Sequence, residues 1–202
     1  MTIKLVGSTN GSTSLDAPAS TTGGADLSFT LPNATTGGIV RTTTTPGAIL
    51  QVVQGVKTNT FSTNSAAETA FVDTGLSASI TPSSSSNKVL ICWNMGIGSS
   101  GDNVTYMKLQ RGSTDIFLGD ADSSRVRTTQ AKGGPGGGWQ IWYTSGQYLD
   151  SPSTTSATTY KWVWASNGTA TSYMNRSHRD HTSTNDEDAR CASSITLMEV
   201  AG

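Results

Sequence analysis

The run Lys88–Gly98, KVLICWNMGIG, constrains the fold more than any other stretch. It lies between two polar runs, Ser83-Ser84-Ser85-Ser86-Asn87 and Ser99-Ser100-Gly101-Asp102. A short apolar run between turn-forming residues predicts a buried strand. Side chains alternate across a strand, so Val89, Ile91, Trp93, Met95 and Ile97 share one face, and Leu90, Cys92, Asn94 and Gly96 share the other. The first face packs a core. The second is apolar enough to need a cover from a loop or a neighbouring chain. This run is expected to be the central strand of a β-sandwich.

The rest of the chain agrees with strands rather than helices. Ser and Thr make up nearly a third of it, and charged residues only 13%, against about a quarter in ordinary globular chains. Thr suits strands because its branched Cβ fits the pleat. Hydroxyl-coated strands joined by Ser/Thr/Gly loops are one reading, and disorder is the other. Five Trp and five Tyr, mostly within strand-like runs, favour order beyond residue 46. Short strands are expected at Ala48–Gln54, Lys57–Ser62 (with a turn at Gly55), Ser77–Thr81, Val104–Gln110, Asp115–Leu118, Trp139–Leu149, Thr158–Ala165, Thr171–Met174 and Ser193–Val200. With no helical period, they define an all-β, jelly-roll-like β-sandwich over 46–202.

Residues 1–45 read differently. A short strand fits at 2–6, but Gly7–Pro46 is rich in Gly, Ser and Thr and buries too little to fold alone. Two places break the linker pattern: Leu15-Asp16-Ala17-Pro18, and Leu27-Ser28-Phe29-Thr30-Leu31-Pro32. In the second, Leu27, Phe29 and Leu31 alternate with hydroxyl residues up to Pro32, which predicts a strand able to add to a partner's sheet edge. Leu15, Pro18, Leu27, Phe29, Leu31 and Pro32 are therefore the candidate docking residues of an extended arm.

The segment LDAPASTTGGADLSFTLPNA resembles the N-terminal attachment repeat of tailed-bacteriophage fibre and appendage proteins, especially those of marine and cyanobacterial phages. GAILQVVQ at 47–54, FVDTGLSASITPSSSSNKVLI at 71–91 and the closing ASSITLMEV at 192–200 are similar to strands of the same domains. The resemblance implies a trimeric virion component, assembled in a host cytoplasm. Its N-terminus would hold other virion proteins (capsid, neck or tail), and its C-terminal β-domain would face a glycan or protein on the host surface. A capsid decoration protein and a carbohydrate-binding or carbohydrate-active module are the alternatives.

Charge excludes some partners. Net charge is −1, with 13 basic and 14 acidic residues and no basic patch, so duplex nucleic acid is not expected. No run approaches the ~20 apolar residues of a membrane span, and MTIKLVGST lacks the apolar core of a signal peptide. Without secretion, Cys92 and Cys191 are read as reduced thiols rather than a disulfide.

No catalytic motif stands out. Asp115, Asp120, Asp122 and Asp150 are scattered over turns, no Gly-x-Ser-x-Gly elbow is present, and Gly133–Gly138 lacks the Lys-Ser/Thr of a phosphate loop. No enzyme activity and no cofactor are expected. His178 and His181, in HRDH beside Arg179 and near Asp186, Glu187 and Asp188, are weak metal candidates; an ordinary charged loop is the favoured reading. The face Tyr160, Trp162, Trp164 offers a platform for sugar rings, or else core or subunit packing, which its one-sided alternation favours. Loops 119–138 and 175–190, with His178, Arg179 and His181, are the expected recognition surface.

Overall fold

A computed structural model of the chain describes residues 3–6, 12–15, 46–64, 67–100, 104–133, 138–167, 170–182 and 188–202. The chain divides into two units, Met1–Thr44 and Thr45–Gly202. In the first, β1 (Ile3–Val6) pairs antiparallel with β2 (Ser12–Leu15), Ile3 opposite Leu15. The strand at 2–6 is as expected, but the second interrupts what reads in sequence as unbroken arm. Pro18, Leu27, Phe29, Leu31 and Pro32 lie outside the described residues.

In the second unit the strands are β3 (Ile49–Lys57), β4 (Phe61–Thr63), β5 (Val72–Ile80), β6 (Lys88–Ser99), β7 (Thr105–Arg111) and β8 (Thr114–Ile116). They continue with β9 (Gln130–Lys132), β10 (Trp142–Asp150), β11 (Thr158–Ser166), β12 (Ser172–Met174) and β13 (Ser193–Val200). No helix occurs among the described residues, and so none long and apolar enough to cross a membrane. One sheet runs β3-β13-β6, with β10 on the far edge of β6, while β12, followed by β4, pairs with β6 beyond the end of β13 on the near edge. The other runs β5-β11-β7, with β8 and β9 end to end on the outer edge of β7. The first long strand thus pairs with the last, and the long strands β3, β5, β6, β7, β10, β11 and β13 alternate between the two sheets in chain order. These are the crossed connections of a jelly roll, and the body is an all-β, antiparallel sandwich.

The expected central strand is central. Val89, Ile91, Trp93, Met95 and Ile97 of β6 are all buried, and β13 and β10 flank it. Facing them from the second sheet are Leu76 and Ile80 of β5, Met107 and Leu109 of β7, and Tyr160, Trp162 and Trp164 of β11. The Trp93 and Trp162 rings meet edge to face across the sandwich, their centres 5.0 Å apart and their planes at 61°, a favoured arrangement for aromatic pairs.

Two departures from the sequence reading have local causes. Gly55 makes no turn; β3 passes through it as one strand, since a side chain there would strike the Ser77 carbonyl where β3 crosses β5. β5 begins at Val72, five residues earlier than expected, through a bulge that breaks its pairing with β11 between Lys161 and Val163. Gly75 takes φ +75° there, and Thr74 Oγ1 donates to the Trp162 carbonyl at 2.8 Å, so the bulge leaves that buried acceptor satisfied.

Glu199 is the least expected core residue, a carboxylate 1% exposed on β13. One oxygen accepts the Ser83 backbone N–H at 2.6 Å, Ser83 Oγ at 2.7 Å and Asn87 Nδ2 at 2.6 Å. The other accepts Gln51 Nε2 at 2.7 Å. This fixes the Pro82–Asn87 turn that aims β6 into the core. Burial alone would raise its pKa, but hydrogen bonds from Asn87, Gln51 and Ser83 outweigh that and hold it at about 2. A carboxyl with a depressed folded pKa contributes stability above its unfolded value, 4.5 here, and loses it as pH falls toward 2. We expect Glu199→Gln to cost about 2–4 kcal/mol at pH 7. Its loss should shrink between pH 4.5 and 2, as urea unfolding of both proteins across that range would measure.

Candidate functional site

The aromatic face proposed as a sugar platform is not on the surface. Tyr160, Trp162 and Trp164 are each 0% exposed. The Tyr160 hydroxyl donates to Asp150 Oδ2 at 2.7 Å, and Arg111 Nη1 donates to the same carboxylate at 2.9–3.0 Å. Burial and then the Asp150 carboxylate push the phenol pKa well up, keeping it a donor. Phe61 packs against Trp164 at 5.6 Å. Alternation along β11 was read correctly; the covered side is the core, so these residues contact no receptor.

Other aromatics take the surface. Trp139, Trp142 and Tyr143, where the chain enters β10, are 53%, 45% and 57% exposed. The strand starts three residues later than the expected Trp139, because Trp139 belongs to a turn held from the other side. The Arg179 backbone N–H donates to the Gly138 carbonyl at 2.8 Å, and the Arg179 guanidinium lies 5.6 Å from the Trp139 ring centre. Lys132 Nζ lies 5.5 Å from the Trp142 ring centre. The two loops expected to carry recognition therefore meet at Gly138 and Arg179.

The second loop is not the loosely exposed segment that its charge suggests. Asn175, fully buried with φ 63°, anchors its start. Its amide donates to the carbonyls of Lys57 at 2.8 Å and Asn59 at 3.1 Å, and its Oδ1 accepts Ser193 Oγ at 2.6 Å. Its own N–H reaches the Gly96 carbonyl at 3.0 Å, and its carbonyl accepts the Cys191 N–H at 3.1 Å. Asn tolerates positive φ better than other non-glycine residues, and here it also offers both donor and acceptor to three strands.

Asp188 closes the loop. Its carboxylate accepts Ser177 Oγ at 2.7 Å, Arg179 Nε at 2.7 Å and the His181 N–H at 3.2 Å. Burial would raise its pKa; these hydrogen bonds and the Arg179 charge overcome that and lower it. Asp180 takes the Arg190 guanidinium at 2.9 and 3.1 Å, with Arg176 at 3.2 Å, across the Arg176–Arg190 bridge.

The sequence-predicted residues now have places. Arg179 is the tie between the loops. His178 is exposed, its ring 5.6 Å from that of Tyr173, over which the Arg176 guanidinium also lies at 4.1 Å. His181 is exposed and contributes its backbone N–H. Among the described residues no group of three His, Cys, Asp or Glu lies close enough to hold a metal; Asp186 and Glu187 lie outside them. Cys92 and Cys191 are both free thiols. Asn175 and Asp188 were missed as organising residues. The only signal was one Asn and one Asp in a polar run, which no periodicity distinguishes.

The site lies at one end of the body. β13 starts there at Ser193 beside Lys57, while at the other end Gly47 N–H donates to the Ala201 carbonyl at 2.8 Å and Ala201 N–H to that of Ala48 at 2.9 Å. Nine-residue strands such as β3 separate the two ends by about 30 Å. Trp142 and Tyr143, adjacent on β10, point to opposite faces; Trp139 beside Arg179 and Trp142 beside Lys132 are exposed aromatic rings with a cation close by, a combination that can stack on a sugar ring or grip a protein loop.

No family model matches the chain, and no curated protein sequence matches it. Among solved structures, it is similar over 86% of its length to a chain in the structure of infectious bursal disease virus, Gx strain, with a TM-score of 0.41 and 9% identity. It spans 47%, about half, of that chain.

We expect Trp162→Ala to destabilise the body by about 3–5 kcal/mol. Trp139→Ala should change it by no more than about 0.5 kcal/mol, as chemical denaturation of the two variants would measure.

Proposed function

We propose that the chain is a bacteriophage virion appendage subunit that docks to the particle by residues 1–45 and presents the sandwich to a host surface. The observation that carries this reading is polarity. The chain enters the body at Gly47, at one end, and the clamped loops with Trp139, Trp142 and Tyr143 stand at the other. A tethered adhesin needs that arrangement. The likeness of the arm and strands to phage appendage proteins supplies the biological setting, and the working place is the virion. No catalytic step is proposed, and the ligand is a host glycan or protein. The purified chain should bind host cells and compete with particle adsorption. Trp139→Ala with Trp142→Ala should weaken binding at least tenfold without lowering the melting temperature. Unchanged binding by that variant would refute the assignment of the surface.

We further propose that the subunit is a homotrimer. One row of outward side chains crosses the first sheet in register: Val52 of β3, Met198 of β13, Leu90 of β6 and Leu149 of β10. Val52 and Leu149 are 58% and 44% exposed, and Leu50 and Val56 are exposed beside them on β3. A contiguous apolar row, continued by Leu50 and Val56 on the same face, supports burial against a neighbouring copy. The same row would serve a decoration protein gripping a capsid, the second reading. Sedimentation should give a trimer for the native chain and a monomer for Val52→Lys with Leu149→Lys. A native monomer at micromolar concentration would remove the trimer and leave the row to another partner.

A further inference from the structure

A second surface, on the five-stranded sheet, carries its own chemistry. An open groove of about 430 Å³ is lined by Thr69, Phe71, Lys108, Leu118, Ser124 and Arg127, with Asp115, Arg125 and Val126. Three cations face one carboxylate there, in a chain whose net charge is −1. Lys108 is committed: its Nζ lies 2.7 Å from Asp115 Oδ2 and 4.2 Å from the centre of the Phe71 ring. Arg125 meets Asp122 at 3.3 Å, but that pair is 82% and 62% exposed, where an ion pair contributes little. Arg127 spends Nε on the Gly119 carbonyl at 2.8 Å, and among the described residues no carboxylate pairs with it.

The groove is held in shape. Gly119 N–H donates to the Thr128 carbonyl at 3.1 Å and Arg125 N–H to that of Asp122 at 3.1 Å. Thr129 Oγ1 accepts the Leu109 N–H at 2.9 Å and donates to the Ile116 carbonyl at 3.2 Å, fixing the loop at the junction of β8 and β9.

We propose that this groove binds a carboxylated sugar, a uronic acid unit of an acidic polysaccharide. The guanidiniums of Arg125 and Arg127 would take the carboxylate, for which their planar fork is suited. Phe71, Leu118 and Val126 offer an apolar wall to the C–H face of the ring, and Thr69 and Ser124 offer hydroxyls to its hydroxyls. A bare phosphate would use only the first of these features, and an open groove accepts a chain more readily than a buried pocket does. The site is separate from the loop junction and stands whether or not that surface meets a host.

The test titrates trigalacturonate, maltotriose and inorganic phosphate into the full-length chain and follows backbone amides by nuclear magnetic resonance. Saturating shifts at Phe71, Leu118, Val126 and Arg127 are expected with trigalacturonate alone. Arg127→Gln should weaken that binding at least tenfold, with an unchanged melting temperature. Arg125→Gln, at an exposed position, serves as a second variant with the same expected direction. Equal saturation by maltotriose, equal saturation by phosphate, or no saturation by trigalacturonate would each overturn the proposal. So would affinity untouched by both substitutions.

Discussion

The contact between Trp93 and Trp162 joins the two sheets at the middle of the body. Around it the central strand presents five buried side chains to β5, β7 and β11. Large aromatics bury much apolar area with few rotatable bonds, which suits a chain in which Ser and Thr make up nearly a third of the residues. One cost is visible. Among the described residues the buried indole nitrogens of Trp162 and Trp164 meet no hydrogen-bond acceptor, so ring packing there has outweighed two desolvated donors.

Polar residues decide how the strands are directed once that core exists. Glu199 ties β13 and Gln51 of β3 to the turn before β6. Asn175 ties the chain after β12 to β6, β13 and the segment following β3. Both are buried groups with their hydrogen-bonding capacity largely filled, and a half-satisfied version of either would be worse than an apolar one. Between them they hold the two ends of the first sheet.

Alternation made much of the core legible. The faces of β6, β7, β11 and β13 follow directly from period two, as does the burial of Met107, Leu109, Ile195 and Leu197. The 12-residue central strand was marked by serine runs at both sides. Where the reading failed, tertiary contact decided. Gly55 looks like a turn until β5 is seen to lie against it. The exposed Trp139 and the buried Trp164 cannot be told apart by residue type; one sits in a turn ahead of β10 and the other inside the sandwich on β11. That segments 119–138 and 175–190 meet through Gly138 and Arg179 depends on two backbone groups that no side-chain pattern encodes.

The ladder between β3 and β13 has a mechanical meaning. Residues from Ile49 to Lys57 pair along the whole of β13, and Gly47 leads into that ladder at its outer end. Tension drawn between Gly47 and the far loops would run parallel to the strands. It would load the cross-strand hydrogen bonds together, in shear, instead of peeling them apart singly. A body hung this way resists pulling with a whole ladder at once, even though no single bond in it is strong.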